Sequence, residues 1–123
     1  MDPTDPLGPL ETRVLDALWD HGPATSREVC ETLGEDRAYT TIMTTLDRLH
    51  RKGLLEREKD GIAWRYRPAL SREAHARAVA DALAERILGE HRESGIAAFV
   101  DAAARDAELL DRLAALVAAR RKA

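Results

Sequence analysis

The chain is poor in cysteine, in aromatic residues and in long apolar runs. Its single cysteine, Cys30, excludes a disulfide framework within the chain and suits a reducing compartment. Aromatic residues make up only 4% of the sequence, so a core must be built mainly from leucine, valine, isoleucine and alanine. No apolar run approaches the roughly 18 residues of a membrane-spanning helix, and the first residues lack a signal-peptide pattern. We therefore expect a cytoplasmic location and no membrane partner.

The motifs of the common catalytic and metal sites are also missing. The sequence has no glycine-rich phosphate loop, no nucleophile elbow and no paired-histidine motif. The histidines, His21, His50, His75 and His91, have no ligand-like spacing, so we expect no metal site and no cofactor. These absences predict a binding protein and not an enzyme.

Length and composition indicate one folded domain, or a small domain with an extension. The chain has 123 residues, of which 45% are hydrophobic and 33% are charged. The net charge of −3 argues weakly against a nucleic-acid partner, but the charge is unevenly distributed. Residues 1–36 have a net charge of −7, residues 71–123 have none, and residues 37–67 have +4. The positive segment is either a chance fluctuation or a binding surface.

Residues 38–53 combine an apolar stripe with a face of hydroxyl and guanidinium groups. At about 100° per residue, Ile42, Leu46 and Leu49 fall on one side of a helix. The polar groups on the opposite side belong to Thr40, Thr44, Arg48 and Arg51. With Thr41 and Thr45 the segment has four threonines, which lower its helix propensity. A face that only contacts solvent has no need of four such residues. Since threonine can contact phosphates, base edges and the thymine methyl group, we interpret this segment as a DNA-recognition helix. An ordinary amphipathic helix is the alternative.

Two shorter helices are predicted before this segment. The first begins at Pro9 and ends at Gly22-Pro23, because proline cannot continue a helix. Residues 25–28, Thr-Ser-Arg-Glu, have the form of a capping box and open a second helix, which Gly34 ends. Residues 35–37 would form the turn into the threonine-rich helix. This order is that of a helix-turn-helix.

The pattern then changes from helical to alternating. Asp60-Gly61 separates two short strand-like runs and is a strong hairpin signal. In the second run Trp64 and Tyr66 fall on one face, and Arg65 and Arg67 fall on the other. A basic hairpin directly after a recognition helix is a wing, whose tip and arginines would reach the DNA phosphates. The alternative is a hairpin that closes the core, which the aromatic residues could do while leaving the arginines for DNA.

Residues 71–123 predict three helices with narrow apolar stripes. A long helix covers about residues 72–88, Gly89 and Gly95 interrupt it, and further helices cover residues 96–100 and about 106–122. These stripes bury too little to stand alone, so we expect them to pack on a second copy of the chain. The residues predicted to form this dimer contact are Val79, Leu83, Ile87, Phe99, Leu109, Leu113 and Leu116. A monomeric folded-back bundle is the alternative.

Several short motifs resemble those of the BlaI/MecI penicillinase-repressor family. They are Leu7-Gly-x-Leu-Glu11, Leu18-Trp19, Gly22-Pro-Ala-Thr25, Ala38-Tyr-Thr-Thr-Ile-Met-Thr44, Leu46-Asp-Arg-Leu49, Lys52-Gly-Leu54 and Tyr66-Arg-Pro68. The resemblance is close over residues 7–70 and loose over residues 71–120. It implies a mainly α fold with a small β-hairpin wing: a winged helix-turn-helix domain in residues 1–70 and a helical dimerisation domain in residues 71–123.

The same resemblance implies a homodimer that represses transcription by binding a palindromic operator in double-stranded DNA. Residues Tyr39 to Thr41, Thr44 and Arg48 would lie on the recognition helix. With the cations that follow, the predicted DNA contacts are Tyr39, Thr40, Thr41, Thr44, Arg48, Arg51, Lys52, Arg57, Lys59 and Arg65. A winged-helix module that binds a protein, through its acidic first helix and basic wing, is the competing hypothesis.

Two departures from the family pattern limit the resemblance. Members that answer to β-lactam sensors are cleaved beside an Asn-Phe pair, whereas the matching position here is Ala98-Phe99. The missing asparagine puts a sensor protease as a partner in doubt. The copper-responsive branch ends in a cysteine-rich metal motif, which this sequence lacks.

Overall fold

The computed structural model describes residues 2–34 and 38–123. These residues form α1 (Pro9–His21), β1 (Ala24–Thr25), α2 (Ser26–Leu33), α3 (Tyr39–Arg51), β2 (Leu55–Asp60), β3 (Ala63–Pro68), α4 (Arg72–Ile87), α5 (Arg92–Ala103) and α6 (Ala107–Lys122). The predicted turn at residues 35–37 lies outside the described residues. Among the helices described, none has the length and apolar character needed to cross a membrane.

The chain divides into two compact units, one ending at Ala80 and the other spanning Asp81–Ala123. Helix α4 runs through this division. The predicted functional boundary between residues 70 and 71 stays a prediction.

The first two helices begin and end where the sequence predicts. Pro9 is the first residue of α1, and Gly22, with a φ of 92°, follows its last turn. At the start of α2 the Thr25 Oγ1 accepts a hydrogen bond from the Glu28 N–H at 3.3 Å, and the Glu28 carboxylate accepts one from the Thr25 N–H at 3.2 Å. This reciprocal pair confirms the predicted capping box. Gly34 ends α2 in the left-handed region.

The apolar stripe of α3 forms the centre of the core of the first unit. Ile42, Leu46 and Leu49 are buried, as predicted. They pack against side chains from α1, α2, the sheet and the residue before β2: Val14, Leu15, Leu18, Val29, Leu54, Leu55 and Tyr66. Burial of this stripe fixes which side of α3 faces outward, because the angles between side chains around a helix are fixed.

A three-stranded antiparallel sheet, in the order β1-β3-β2, carries the hairpin. The hairpin turns between Asp60 and Ala63, with Gly61 at a φ of 68°, which a glycine adopts without strain. The hairpin prediction is therefore confirmed, and the name wing is used below for β2, β3 and their turn. Strand β1, which pairs with β3 through Ala24 and Thr25, is an addition to the prediction. Two residues are too short to show an alternating pattern.

The second unit differs from the prediction at one glycine. Gly89 lies between α4 and α5, as expected, but Gly95 lies inside α5 and does not interrupt it. A Cβ at residue 95 would lie 2.7 Å from the Ile87 carbonyl oxygen at the end of α4. Glycine is thus needed there for a close approach between α5 and the end of α4, and not for a break. No residue of α4, α5 or α6 is fully buried.

Candidate nucleic-acid interface

The outward side of α3 is a face of hydroxyl and guanidinium groups. Its exposed residues include Tyr39, Thr40, Thr41, Thr44, Arg48 and Arg51. The structure corrects the predicted contact face at Thr45, because only 4% of this residue is exposed. Its Oγ1 donates a hydrogen bond to the Thr41 carbonyl at 2.8 Å. One residue is a turn of about 100°, which moves Thr45 from the outward side to the core side.

A groove of about 380 Å³ separates the outward side of α3 from the start of α1. Its rims come from Gly8 to Glu11 on one side and from Thr40, Thr44 and Arg48 on the other. Among the residues that the structure describes, the Arg48 guanidinium has neither an ion-pair nor a hydrogen-bond partner. Its guanidinium is therefore available to an external acceptor.

Glu11, which lines this groove, belongs to a nearly buried ion pair. The Lys52 ammonium donates to Glu11 Oε2 at 2.8 Å, and each side chain is only 11% exposed. Burial alone would raise the pKa of Glu11, but hydrogen bonds from Lys52 and the Gly8 N–H, with the charges of Lys52 and Arg48, lower it overall. The pair ties the end of α3 to the start of α1. Since its ammonium is turned inward, Lys52 is left out of the contact surface proposed below.

On the other flank of α3 the wing presents cations stacked on tryptophan. The Arg57 guanidinium lies 4.3 Å from the centre of the Trp64 ring, and the Lys59 ammonium lies 4.4 Å from it. Arg57 also lies 3.4 Å from a carboxylate oxygen of Asp47 on α3. Arg57, Trp64 and Asp47 border a second groove, of about 320 Å³, between α3 and the wing.

The opposite face of the wing carries arginines that are already paired. Arg65 binds Asp60 at 2.7 Å and Glu28 at 3.0 Å, and these hydrogen bonds raise the pKa of Arg65. Arg67 binds Glu56 at 3.2 Å near the base of the hairpin. A phosphate would have to displace a carboxylate to reach either arginine. Lys59, by contrast, has no anionic partner within the described part of the chain.

Comparison with known proteins identifies the family. A family model described as penicillinase repressor matches residues 7–119. The chain belongs to this family. The resemblance of the sequence motifs is thereby confirmed.

Relatives of this penicillinase-repressor chain agree in sequence and in fold. The transcriptional regulator BlaI of Mycobacterium tuberculosis (strain H37Rv) is 41% identical over 99 residues, which are 77% of this chain and 72% of that protein. The solution structure of the DNA-binding domain of the repressor BlaI is 28% identical with a TM-score of 0.53, covering 58% of this chain and 90% of that one. BpsR of Bordetella bronchiseptica, 19% identical with a TM-score of 0.50 over 84% of this chain and 85% of its own, shares the fold alone. The predicted winged-helix fold is confirmed.

The residues predicted for dimer contact in this family member lie mostly on exposed faces. Phe99 is 51% exposed, and Leu83, Leu109 and Leu116 are also exposed. Val79, Ile87 and Leu113 are half-buried. In the second unit, α5 and α6 border an apolar groove of about 420 Å³ that includes Phe99, Leu109, Leu113 and Leu116. The dimer stays a prediction.

Three features of the interface have little or no signal in the sequence. The Lys52–Glu11 pair joins residues 41 positions apart, and the stacking of Arg57 on Trp64 depends on the hairpin register. Asp47 is the third, an acid beside the basic face. Its spacing of four residues from Arg51 could have predicted that pair, which the structure contains at 3.0 Å.

Within residues 2–34 and 38–123 no cluster of three or more metal-ligand side chains is present.

Proposed function

We propose that this chain is a transcriptional repressor that binds double-stranded DNA as a homodimer, with α3 in the major groove and the wing on the flanking phosphates. The observation that carries the proposal is the outward side of α3. It exposes Thr40, Thr44 and Arg48 while the opposite side is buried in the core. Family membership supports it, since the relatives named above are a transcriptional regulator and the DNA-binding domain of a repressor.

The proposed contacts divide by chemistry. Short hydroxyls and one unpaired guanidinium suit base edges and nearby phosphates, and they belong to Tyr39, Thr40, Thr41, Thr44 and Arg48. The cations beside them suit phosphates, and they belong to Arg51, Arg57, Lys59 and Arg65. Arg51, Arg57 and Arg65 each have a carboxylate partner in the free protein, and Lys59 has none among the described residues. Regulation by occupancy of DNA needs no catalytic group, and it takes place in the cytoplasm, where a bacterial chromosome lies.

The homodimer is proposed from the second unit. A helical unit in which no residue of α5 or α6 is fully buried cannot gain enough apolar burial to be stable by itself. Its exposed leucines and Phe99 form the apolar surface that a second copy would cover. A two-fold symmetric dimer binds two half-sites, so the operator is expected to be an inverted repeat.

Selection of bound duplexes from a random library, followed by titration of the best sequence, tests the proposal. We expect an inverted repeat whose half-site centres lie one helical turn, or a multiple of it, apart. The binding constant should fall steeply with salt, because each neutralised phosphate releases counterions. The absence of affinity for any duplex at low salt would contradict the proposal and favour the protein-binding alternative.

A further inference from the structure

A single carboxylate bridges the recognition helix and the wing. Asp47 Oδ2 lies 3.0 Å from Arg51 Nε on α3, and Asp47 Oδ1 lies 3.4 Å from Arg57 Nη1 on β2. Asp47 borders the groove between α3 and the wing and is 39% exposed. A negative charge at this place opposes the approach of any phosphate chain. Because the charge of Asp47 would lower the affinity for DNA, we look for a role of Asp47 that offsets this loss.

The surroundings of Arg57 indicate what that role is. Its guanidinium stacks on Trp64, lies 3.5 Å from the Tyr66 hydroxyl and is bound by Asp47. Tyr66 is buried in the core, and the Arg57 side chain is only 25% exposed. An arginine has five N–H donors in a planar fork, so bonding to Asp47 leaves donors for a second acceptor. Arg57 is thus oriented but not saturated.

We propose that Asp47 is a positioning residue that sets Arg57 and Arg51 on the two sides of one DNA strand, where it passes between α3 and the wing. The inference rests on the proposed function and names a specificity device within it. A long side chain that is held before binding loses less conformational freedom when it binds. The spacing of the two cations then matches the phosphates of the bound operator better than the phosphates of other duplexes. Asp47 therefore lowers affinity for DNA in general and raises affinity for the operator.

The opposite signs of these two effects define the experiment. The variant Asp47→Ala is titrated against the selected operator duplex and against a scrambled duplex of the same length and composition. We expect affinity for the scrambled duplex to rise about twofold to threefold, because one negative charge is removed. Affinity for the operator should fall about tenfold, because two arginines must now be ordered on binding.

Glu56→Ala is the matched control. Glu56 pairs with Arg67 at 3.2 Å on the other face of the wing, so this change also removes one carboxylate from an arginine. We expect both affinities to change together and their ratio to stay within about twofold of wild type, since charge alone acts on both duplexes.

A mutant cycle tests whether Asp47 acts through its two arginines. In a background that carries both Arg51→Ala and Arg57→Ala, Asp47→Ala should lose most of its effect on operator affinity. An equal rise for both duplexes, or an undiminished operator loss in that background, would overturn the inference. A fall in both affinities with a lower thermal midpoint would also overturn it by indicating a structural role. In each of these cases operator binding by the wild type would leave the proposed function standing.

Discussion

Neighbouring threonines on α3 show how position on a helix decides what a side chain can do. Thr45 is buried and its hydroxyl is bonded to the Thr41 carbonyl, so it serves the helix itself. Thr44 is exposed beside Arg48 on the rim of the groove next to α1. Its hydroxyl makes no hydrogen bond to any described residue. The same residue type is therefore structural at one position and available to a ligand at the next.

Replacing each hydroxyl with a methyl group separates these roles. Thr44→Val keeps the size and branching of the side chain but removes its donor and acceptor. We expect operator binding to weaken by about 1 kcal/mol, or about fivefold, as for one lost hydrogen bond. Thr45→Val is the control, and its operator affinity should stay within about twofold of wild type, since its hydroxyl is used internally. Equal effects of the two changes in a fluorescence anisotropy titration would argue against the orientation of α3 in the complex.

The position of α3 depends on its buried side and on a contact at its C-terminal end. The stripe of Ile42, Leu46 and Leu49 packs it on the core, and the Lys52–Glu11 pair holds its last turn to the start of α1. With both partners only 11% exposed, this pair is shielded from water far more than the Arg51–Asp47 pair, whose arginine is 69% exposed. Shielding makes the loss of one partner costly, because the other is left charged and unpaired.

Lys52→Met should therefore destabilise the fold more than it affects DNA contact. We expect the free energy of unfolding at pH 7 to fall by about 1–3 kcal/mol, measured by urea denaturation. Arg51→Met breaks the exposed pair and should cost no more than about 0.5 kcal/mol. Similar values for the two variants would contradict a structural role for Lys52.

The pH dependence gives a second test of the same pair. The folded pKa of Glu11 lies below its ordinary value, so its stabilising contribution is present above the unfolded pKa, about 4.3. It is lost as the pH falls from there through the folded pKa, where the folded state also binds the proton. The difference in stability between wild type and Lys52→Met should accordingly shrink between pH 5 and pH 3, taken here as about one unit on either side of that value. A constant difference over this range would show that Glu11 and Lys52 are not coupled.

Most elements of the first unit are predictable because their signals are local. Helical spacing gives the buried stripe of α3, Thr25 and Glu28 give the start of α2, and Asp60-Gly61 gives the hairpin. Strand β1 is not predictable in this way, since two residues have no period. The partners of Lys52 and Arg57 depend on the packing of α1 against α3 and on the strand register. The outward face could be predicted from the sequence, but the carboxylates that pair with Lys52 and Arg57 could not.

The whole molecule consists of two units whose surfaces differ in chemistry. The unit ending at Ala80 has its own apolar core and presents a polar, basic face. The unit Asp81–Ala123 leaves large apolar side chains exposed, among them Phe99, Leu109 and Val117. Large apolar side chains exposed together mark a site of contact with a partner. We infer that the second unit brings two DNA-binding units to one operator.

A charge placed in the apolar surface should separate the copies. Phe99→Asp is expected to convert a dimer into a monomer at micromolar concentration in sedimentation velocity, because a carboxylate would have to be buried without a partner. Operator affinity should fall with it, since two linked half-site contacts become independent ones. Ser94→Asp adds the same charge at an exposed polar position of α5 and should leave the dimer intact. A monomeric wild type, or a dimer that survives Phe99→Asp, would contradict the proposed dimer surface.

A comparison of two arginines tests whether the outward face of α3 binds DNA. Arg48 is unpaired on α3 among the described residues, whereas Arg67 is paired with Glu56 at the base of the wing. Arg48→Ala and Arg67→Ala remove the same charge, and operator affinity is measured for both. We expect a loss of about 1–3 kcal/mol, or roughly 5-fold to 150-fold, for Arg48→Ala and less than about threefold for Arg67→Ala. Equal losses, or wild-type affinity in Arg48→Ala, would contradict a DNA-binding role for this face.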